Sequence, residues 1–381
     1  MASVGYALKD EVRSLISTLG GRRVRPEVVL MPDFFLDHFA SYEGSLNSFK
    51  GRISDIASRG GGSLPNVRQM ILRGGNAANT ASALASLGGF PHLVVRTDSL
   101  GLLLLKYFLG GKGVDLSYVK TDGGMALTTA LELRHGGRLV NIMLGDPASV
   151  RDFGFEQLNG KVLKLIGKAD YVCVFNWNQN LKGTTLAEKV FRFSRKHGHA
   201  RNYLDTGDPS VKVDEIPKLM RRVLLKSLVD VFSLNENEAI WFASYFDRRI
   251  LRRRKTGFTS LQAAKLLQEK LGARIDLHTP SFSATFQEGE SHVAPNLRLK
   301  GFRATGAGDA WNAANIQGEA LKLTPILRLL FANVVAAYYV ASRKGDHATV
   351  KDVLQLLRRS IRSKMAFERL TLEGSIKAED F

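Results

Sequence analysis

The chain has 381 residues, 44% of them apolar and 24% charged, enough for one large α/β domain or two smaller ones and ordinary for a globular protein. No apolar run reaches the roughly 20 residues that span a bilayer, the first residues hold no signal-peptide core with a cleavage site, and a lone cysteine, Cys173, excludes an internal disulfide, so a cytoplasmic location with no membrane partner is expected. The 54 Lys and Arg against 36 Asp and Glu leave a net charge of +18, which favours anionic partners such as nucleic acid or a phosphorylated metabolite.

In chain order, residues 1–25 read as a helical extension ending at Gly20-Gly21. Glu27 to Met31 reads as a buried strand, Asp33 to Gly62 as a polar, mixed segment and Asn66 to Leu72 as extended. Asn76 to Leu87 predicts a helix stopped by Gly88-Gly89, Pro91 to Arg96 a strand and Leu100 to Leu109 a helix. Ala126 to Leu133 and Leu139 to Leu144 flank Gly136-Gly137 as a β-hairpin. Then helices and strands alternate: strands at Tyr171 to Phe175, Asn202 to Asp205, Val229 to Leu234 and Ile275 to Thr279, with helices between them. This rhythm predicts right-handed crossovers and a central, mostly parallel sheet buried on both faces. Leu297 to Phe302 reads as strand-like and Ala310 to Leu321 as a helix. Two more helices, Thr324 to Ser342 and Ala348 to Ile361, close a domain spanning 26–362, and 363–381 form a tail. The segments within about 36–72 and 126–144 fall outside the rhythm. They are expected to pair as a small β-sheet lid, whose open edge or face could join a second copy as a homodimer.

The most informative stretch is Arg303-Ala304-Thr305-Gly306-Ala307-Gly308-Asp309-Ala310-Trp311. Its two glycines let the backbone turn tightly and aim successive N–H groups at one spot, and the helix that follows adds its positive end. Asp309, in the first turn, can reach the same spot and take a proton from an attacking hydroxyl. An anion cradle beside a base is the minimum apparatus of a small-molecule kinase. Polar clusters also recur where strands should end, and in an open α/β sheet ligands bind beyond those ends. They are Asp33 and Asp37, Arg73 to Asn79, Asn176-Trp177-Asn178, Asp205 to Asp208, Asn235 to Glu238 and His278 to Ser281. A single such cluster would read as a helix cap. The basic run Arg248, Arg249, Arg252, Arg253, Arg254 and Lys255 stands beside no zinc-finger spacing, basic-region heptads or aromatic RNA-binding motif. It reads as a solvated helix end or loop, and nucleic acid is not taken as a partner.

On these residues the chain resembles the ribokinase-like (PfkB) family of carbohydrate and nucleoside kinases. Gly306 to Trp311 is similar to that family's G-A-G-D-A/S-F signature, Gly74 to Asn79 to its G-G-N-x-x-N sugar-binding turn, and Asn235 to Glu238 to its N-x-x-E motif, in the family's order from Val28 to Val350. The resemblance implies a three-layer α/β/α ribokinase-like fold with a small β-sheet lid. It implies Asp309 as general base, Gly306, Ala307 and Gly308 as the backbone anion hole, and Asp37, Gly75, Asn76 and Asn79 as holders of acceptor hydroxyls. Asp33 would join them as a substrate contact. Asn235, His278 and Thr305 would lie on the nucleotide and phosphate side, and Glu238 would hold Mg2+ or another divalent cation through water. Where the family often has Asp-Thr before the glycine turn, this chain has Arg303-Ala304. That puts a monovalent-cation site in doubt and leaves Arg303 to reach a ligand phosphate. His278 to Ser283 replaces a glycine-bearing T-x-G-x-x-G segment, so the donor is left open between ATP and ADP. Phe175 to Trp177, Asn180 to Thr184 and Met143 to Pro147 are similar to archaeal ribose-1-phosphate kinases, which implies ribose 1-phosphate as acceptor and ribose 1,5-bisphosphate as product.

Other readings compete. An unphosphorylated sugar or nucleoside is the alternative acceptor. A non-catalytic anion- or nucleic-acid-binding protein on the same scaffold would suit the charge but leaves Gly306 to Asp309 unexplained. A dinucleotide-dependent oxidoreductase should carry its glycine fingerprint after an early strand with an acid about 20 residues on, and Gly74-Gly75 does not fit that spacing.

Overall fold

The computed structural model describes residues 2–252, 257–299 and 305–362. Arg303 and Ala304, the basic residues Arg253, Arg254 and Lys255, and the expected tail 363–381 lie outside the described residues. Helix α1 (Ala2–Gly21) leads to strand β1 (Glu27–Met31), β2 (Phe35–Ser45), α2 (Leu46–Ser58), β3 (Arg68–Gly74), α3 (Asn76–Ser86), β4 (Phe90–Leu93) and α4 (Ser99–Leu109). Strands β5 (Ala126–His135) and β6 (Arg138–Asp146) turn at Gly136-Gly137, both at positive φ, as the hairpin chemistry requires. Next come α5 (Gly160–Ile166), β7 (Tyr171–Val174), α6 (Gly183–His197), β8 (Arg201–Asp205), α7 (Ile216–Arg222), β9 (Val231–Asn235), α8 (Glu236–Ala243), α9 (Gly257–Leu271) and β10 (Arg274–His278). Strands β11 (Phe282–Gln287) and β12 (Glu290–Pro295) precede α10 (Ala307–Ala320), α11 (Pro325–Ala341) and α12 (Val350–Arg362).

The large sheet runs β12-β11-β10-β9-β8-β7-β1-β4. The six strands from β10 to β4 are parallel, and β11 and β12 add an antiparallel edge. Because side chains alternate along a strand, β1 feeds both layers. Val28 and Leu30 pack with Ala77, Ala78 and Ala81 of α3 and Ala313 and Ile316 of α10. Val29 and Met31 belong to the opposite cluster, with Leu186 and Val190 of α6 and Phe242 of α8. The result is a three-layer α/β/α ribokinase-like architecture. On the α10 side, Val12, Leu15 and Leu19 of α1 share a further cluster with Leu330 and Val334 of α11 and Val353 and Leu357 of α12.

A second, four-stranded sheet runs β3-β2-β5-β6, with β2 parallel to β5 and the outer pairs antiparallel. Met70, Ile71, Leu127, Ile142, Met143 and Leu144 are exposed on it. Two expectations differ here. The segment 36–72, expected to supply lid strands, is not extended throughout. Helix α2 interrupts it, started by Ser45, whose hydroxyl accepts from the Ser48 N–H at 3.1 Å. No residue of α2 is fully buried; its apolar residues Leu46, Phe49, Ile53 and Ile56 do fall at helical spacing, inside the segment read as polar and mixed. Leu297 to Phe302 does not form a strand in its described part, where Leu297 makes only an isolated bridge. The edge is instead the β11–β12 hairpin, turned at Glu288 and Gly289, both at positive φ.

Helix α10 is anchored by a buried ionic network. Asp276 on β10 accepts from Arg274 (3.0 Å), Arg328 of α11 (3.1 Å), Asn315 of α10 (2.7 Å) and Thr285 of β11 (2.5 Å). Burial alone would raise its carboxyl, but Arg274 and Arg328 hold it well below the ordinary range. Arg274 continues to Glu319 at the far end of α10 (2.8 Å). Removing one member of such a network strands buried charge, so Asp276→Ala should cost about 3–5 kcal/mol in urea unfolding. A folded-state carboxyl below its unfolded value of about 3.9 stabilises above that pH and loses its contribution as pH falls. The gap between wild type and variant should therefore narrow in acid. A difference under about 1 kcal/mol at neutral pH would show that the network is not a stabilising element.

Candidate active site

The cavity lies past the carboxyl ends of β1, β8, β9 and β10 and encloses about 790 Å3. Toward β1 it is lined by Phe35 and Asp37 of β2, Thr128 of β5, Met143 and Gly145 of β6, and Asn176. Toward β10 it is lined by Asn235, Glu238, His278, Arg298 and Ala337. Gly75, Asn76, Asn79, Thr305 and the Gly306 to Asp309 turn line it as well. The structure thus brings together all the expected residues within the described range except Asp33.

The glycine turn is built as its residue types require. Gly306 has φ 85, and a side chain there would meet the Tyr339 hydroxyl at 2.7 Å. No side chain caps α10, and the first intrahelical bond is Ala310 N–H to Gly306 C=O. The amides just before it are left for a ligand. At Gly308 a side chain would press on the His278 ring at 3.1 Å. That ring packs on Trp311 with centroids 5.2 Å apart, and its buried Nε2 has no hydrogen-bond partner. Burial lowers the His278 pKa, although Asp205 and Asp276 pull it the other way, so the ring is neutral near pH 7.

Asp309 accepts at Oδ2 from Asn79 Nδ2 at 3.0 Å. Asn79 is oriented in turn by Arg73, whose Nε donates to Asn79 Oδ1 at 3.0 Å. Arg73 also meets His347 Nδ1 at 3.3 Å, and His347 stacks on Tyr339 at 4.7 Å. A chain of contacts therefore joins Asp309 to the residue beneath Gly306. Burial raises Asp309 well above the ordinary carboxyl range, and Asp205, Asp33 and Asp37 push the same way against the Asn79 hydrogen bond.

Asp37 is raised to about 6 by burial, with Asp33 adding and Thr128 and Arg73 opposing. It pairs across β2 with Thr128 and Leu72. Its place requires Gly74, where a side chain would meet the Asp37 carboxyl at 2.2 Å. Asp33 is differently used. Its carboxylate accepts from the N–H groups of Asn76 (2.7 Å) and Ala77 (3.0 Å) and from Asn176 Nδ2 (2.9 Å). It caps α3 and does not line the cavity. Gly75 has φ 89, and a side chain there would meet that carboxylate at 3.0 Å. Asn235 and Glu238 form a capping box: Asn235 Oδ1 accepts from Glu238 N–H (3.0 Å), and Glu238 accepts from Asn235 N–H (2.9 Å) and Nδ2 (2.6 Å). Glu238 is raised by burial and by Asp205.

Some supporting residues escaped the sequence reading. Asn312 donates to Asp205 at 2.7 Å and accepts from Tyr203 at 2.8 Å, and Asn333 accepts from Trp311 at 2.9 Å. Amides inside apolar helices were the available signal, since a buried amide needs partners. His347 and Tyr339 left none, because their contacts join distant parts of the chain; Arg73 stood in a polar cluster at a strand end, without its role.

Residues 68–351 match the model of the pfkB family of carbohydrate kinases. The chain belongs to that family and is a phosphotransferase of its type. A search of curated proteins finds no match. Among solved structures, ribokinase from Arabidopsis thaliana, complexed with ribose and ATP, is 19% identical with a TM-score of 0.68, covering 88% of this chain and 99% of that one. Adenosine kinase from Sinorhizobium meliloti is 15% identical with a TM-score of 0.68, covering 88% and 100%. Fructokinase from Xylella fastidiosa with bound ATP is 16% identical with a TM-score of 0.67, covering 88% and 99%. These likenesses show the shared fold.

With Asp309 as the base that the resemblance implies, activity should fall as pH drops through its pKa, since a base must be ionised to take a proton. The acidic limb of kcat/KM is expected above the ordinary carboxyl range. Asp205→Asn keeps an acceptor for Asn312 and removes a negative charge near Asp309, and should move that limb to lower pH. A pH–rate profile checks this. An unmoved limb would mean that the limb does not report Asp309.

Proposed function

We propose that this pfkB-family kinase transfers the terminal phosphoryl group of ATP or ADP to a hydroxymethyl group of a sugar or sugar phosphate, with ribose 1-phosphate the preferred acceptor. The observation that carries the reading is the meeting, in one cavity, of the Gly306 to Gly308 amides, the Asp309 carboxyl and the polar side chains of Asp37, Asn76 and Asn79. The acceptor lies on the side of the small sheet, with its hydroxymethyl against Asp309. Asp37, Asn76 and Asn79 hold the other hydroxyls, while Asp33 supports the turn from behind. The donor lies toward β10, its terminal phosphate over the amides of the glycine turn. The unpartnered His278 Nε2 is available there to a phosphate or ribose. Catalysis is then positioning and charge stabilisation, with Asp309 removing the acceptor proton.

The cavity calls for a cation. Among the described residues, Asp37, Asp205, Glu236, Glu238 and Asp309 line it beside a single arginine, Arg298. Among the described residues no three acidic, histidine or cysteine side chains form a metal cage. That donor set suits Mg2+, which keeps waters and binds largely through substrate phosphates. Asn235 and Glu238 would hold it through water. When bound, it would neutralise donor oxygens.

Two of the stretches that resemble archaeal ribose-1-phosphate kinases border the cavity, through Met143, Gly145 and Asn176. The acid-rich lining near Asp37 favours a second reading, an uncharged sugar or nucleoside whose hydroxyls donate to carboxylates.

Asp309→Asn should leave folding and nucleotide binding nearly intact and lower turnover by about 10²- to 10⁴-fold, the usual worth of a general base. Near-normal turnover would show that another group is the base. A panel of acceptors crossed with ATP and ADP, read by phosphate transfer, should give ribose 1-phosphate the highest kcat/KM. Equal or faster transfer to ribose, fructose or a nucleoside would select the second reading.

A further inference from the structure

A second cavity, of about 650 Å3, opens at the opposite end of the helices that build the active site. Helix α10 has 14 residues, about 21 Å at 1.5 Å per residue. Its first turn lines the active-site cavity, and Leu321, just past its last turn, lines the second cavity. Helix α3 likewise presents Asn76 and Asn79 to the first cavity and Ser86 to the second.

The charge of this second cavity is one-sided. Arg22, Arg23, Arg25, Lys351 and Arg358 line it, and among the described residues no carboxylate does. Part of that charge has a local use, because helices α1, α3 and α10 end here and their last carbonyls are partly negative. Arg22 donates to the Leu321 carbonyl at 3.3 Å, and Arg25 lies 4.2 Å over the Phe90 ring. Arg23, Lys351 and Arg358 have no hydrogen bond or ion pair among the described residues. Lys351 and Arg358 are seven positions apart, on one face of α12. The start of α12 adds backbone donors. Its first intrahelical bond is Val353 N–H to Thr349 C=O, which leaves the amides of Val350 and Lys351 at the cavity. Asp352 is turned away to cap Thr349 (2.9 Å to its N–H).

A second observation comes from a different element. Gln317 of α10 lines the cavity and is 2% exposed. Its Nε2 donates to the Val24 carbonyl at 2.8 Å, which fixes the amide's orientation. Its buried Oε1 then has no partner among the described residues, and an unpaired buried acceptor is costly. An anion alone would not satisfy it, since it needs a hydroxyl or amino donor.

We propose that this cavity binds a phosphorylated, hydroxyl-bearing small molecule, its phosphate held by Arg23, Lys351, Arg358 and the start of α12 and a hydroxyl donated to Gln317. The volume suits a sugar phosphate or a mononucleotide. The site is separate from the catalytic cavity and does not depend on which acceptor the enzyme uses.

Calorimetric titration of the full chain with ribose 5-phosphate tests this, with inorganic phosphate and free ribose as companion probes. The wild type should bind ribose 5-phosphate at one site more than Lys351→Ala/Arg358→Ala, in which that site weakens by about tenfold or more. Kinase kinetics should be unchanged in the double variant. Arg23→Ala, on a different element, should reproduce the loss. Free ribose should not distinguish the proteins. Gln317→Leu should weaken ribose 5-phosphate while inorganic phosphate, which also reports that the variant is folded, binds as before. Identical ribose 5-phosphate isotherms in wild type and the double variant would overturn the site. Equal binding of ribose 5-phosphate by wild type and Gln317→Leu would overturn the hydroxylated ligand.

Discussion

The hydrogen bond from Asn79 to Asp309 joins residues 230 positions apart, and the site's geometry depends on it. It forms because α3 and α10 lie side by side on one face of the sheet with their N-termini level. Small side chains make that approach possible: Ala77, Ala78 and Ala81 on α3 and Ala313 on α10 share a buried cluster with Val28 and Leu30 of β1. Larger residues there would separate the helices. The same alanines look like ordinary helix formers in the sequence, yet their packing sets the distance between Asp309 and the residue that orients it. Arg73 then fixes the Asn79 amide, and through His347 and Tyr339 the contacts reach the glycine turn. Asp309 and the glycine turn therefore keep their spacing by direct contact as well as through the α10 backbone.

Electrostatics in the cavity oppose the sign of the whole chain. A net charge of +18 surrounds a cavity in which Asp37, Glu236, Glu238 and Asp309 are all displaced upward in pKa, first of all by burial. A carboxyl raised by burial favours its neutral form until a positive partner arrives. Proton and cation thus compete for the same oxygens. The outer charge draws anions toward the molecule, while the acidic lining disfavours a bare phosphate inside. A nucleotide that enters with a divalent cation meets both conditions, and this electrostatic argument is independent of the family resemblance.

Much of the fold could be read from the sequence, because the parallel strands are buried on both faces and their apolar runs are bounded by glycines and caps. What escaped has specific causes. Strand β2 buries Phe35, Asp37 and Phe39 on one side, so a carboxylate breaks the apolar alternation just where it serves the cavity. Helix α2 has a thin apolar stripe, Leu46, Phe49, Ile53 and Ile56, but buries none of it fully, and the polar residues around it dominate the segment. The β11–β12 hairpin turns on Glu288 and Gly289, a weaker signal than Asn-Gly or Gly-Gly. Within the site, glycine positions were legible because their conformation admits few alternatives. Carboxylates were legible as polar residues at strand ends, but their uses were not. Asp33 and Asp37 stand four residues apart after the same strand, and the sequence does not say that one caps α3 while the other lines the cavity. That difference comes from Gly75 passing beside Asp33 and Gly74 passing beside Asp37. It is a matter of register between β2 and β3, which local pattern does not encode.

The two central helices also carry a mechanical consequence. Each is anchored near its C-terminal end by interactions remote from the cavity: α10 by Arg274 to Glu319, and by Arg328 and Asp276 around Asn315; α3 by packing of Leu84 in the cluster beneath the sheet. Packed interiors pass small displacements along rigid elements instead of absorbing them. A shift of α10 along its axis would move the glycine turn and Asp309 together, whereas a shift of α10 against α3 would stretch the Asn79 contact. The buried network at Asp276 opposes the first motion, and the alanine seam opposes the second. A carboxyl this deeply buried keeps its alignment with an incoming hydroxyl only if both are prevented, so the charged network and the small-residue seam serve the same end from opposite ends of the helix.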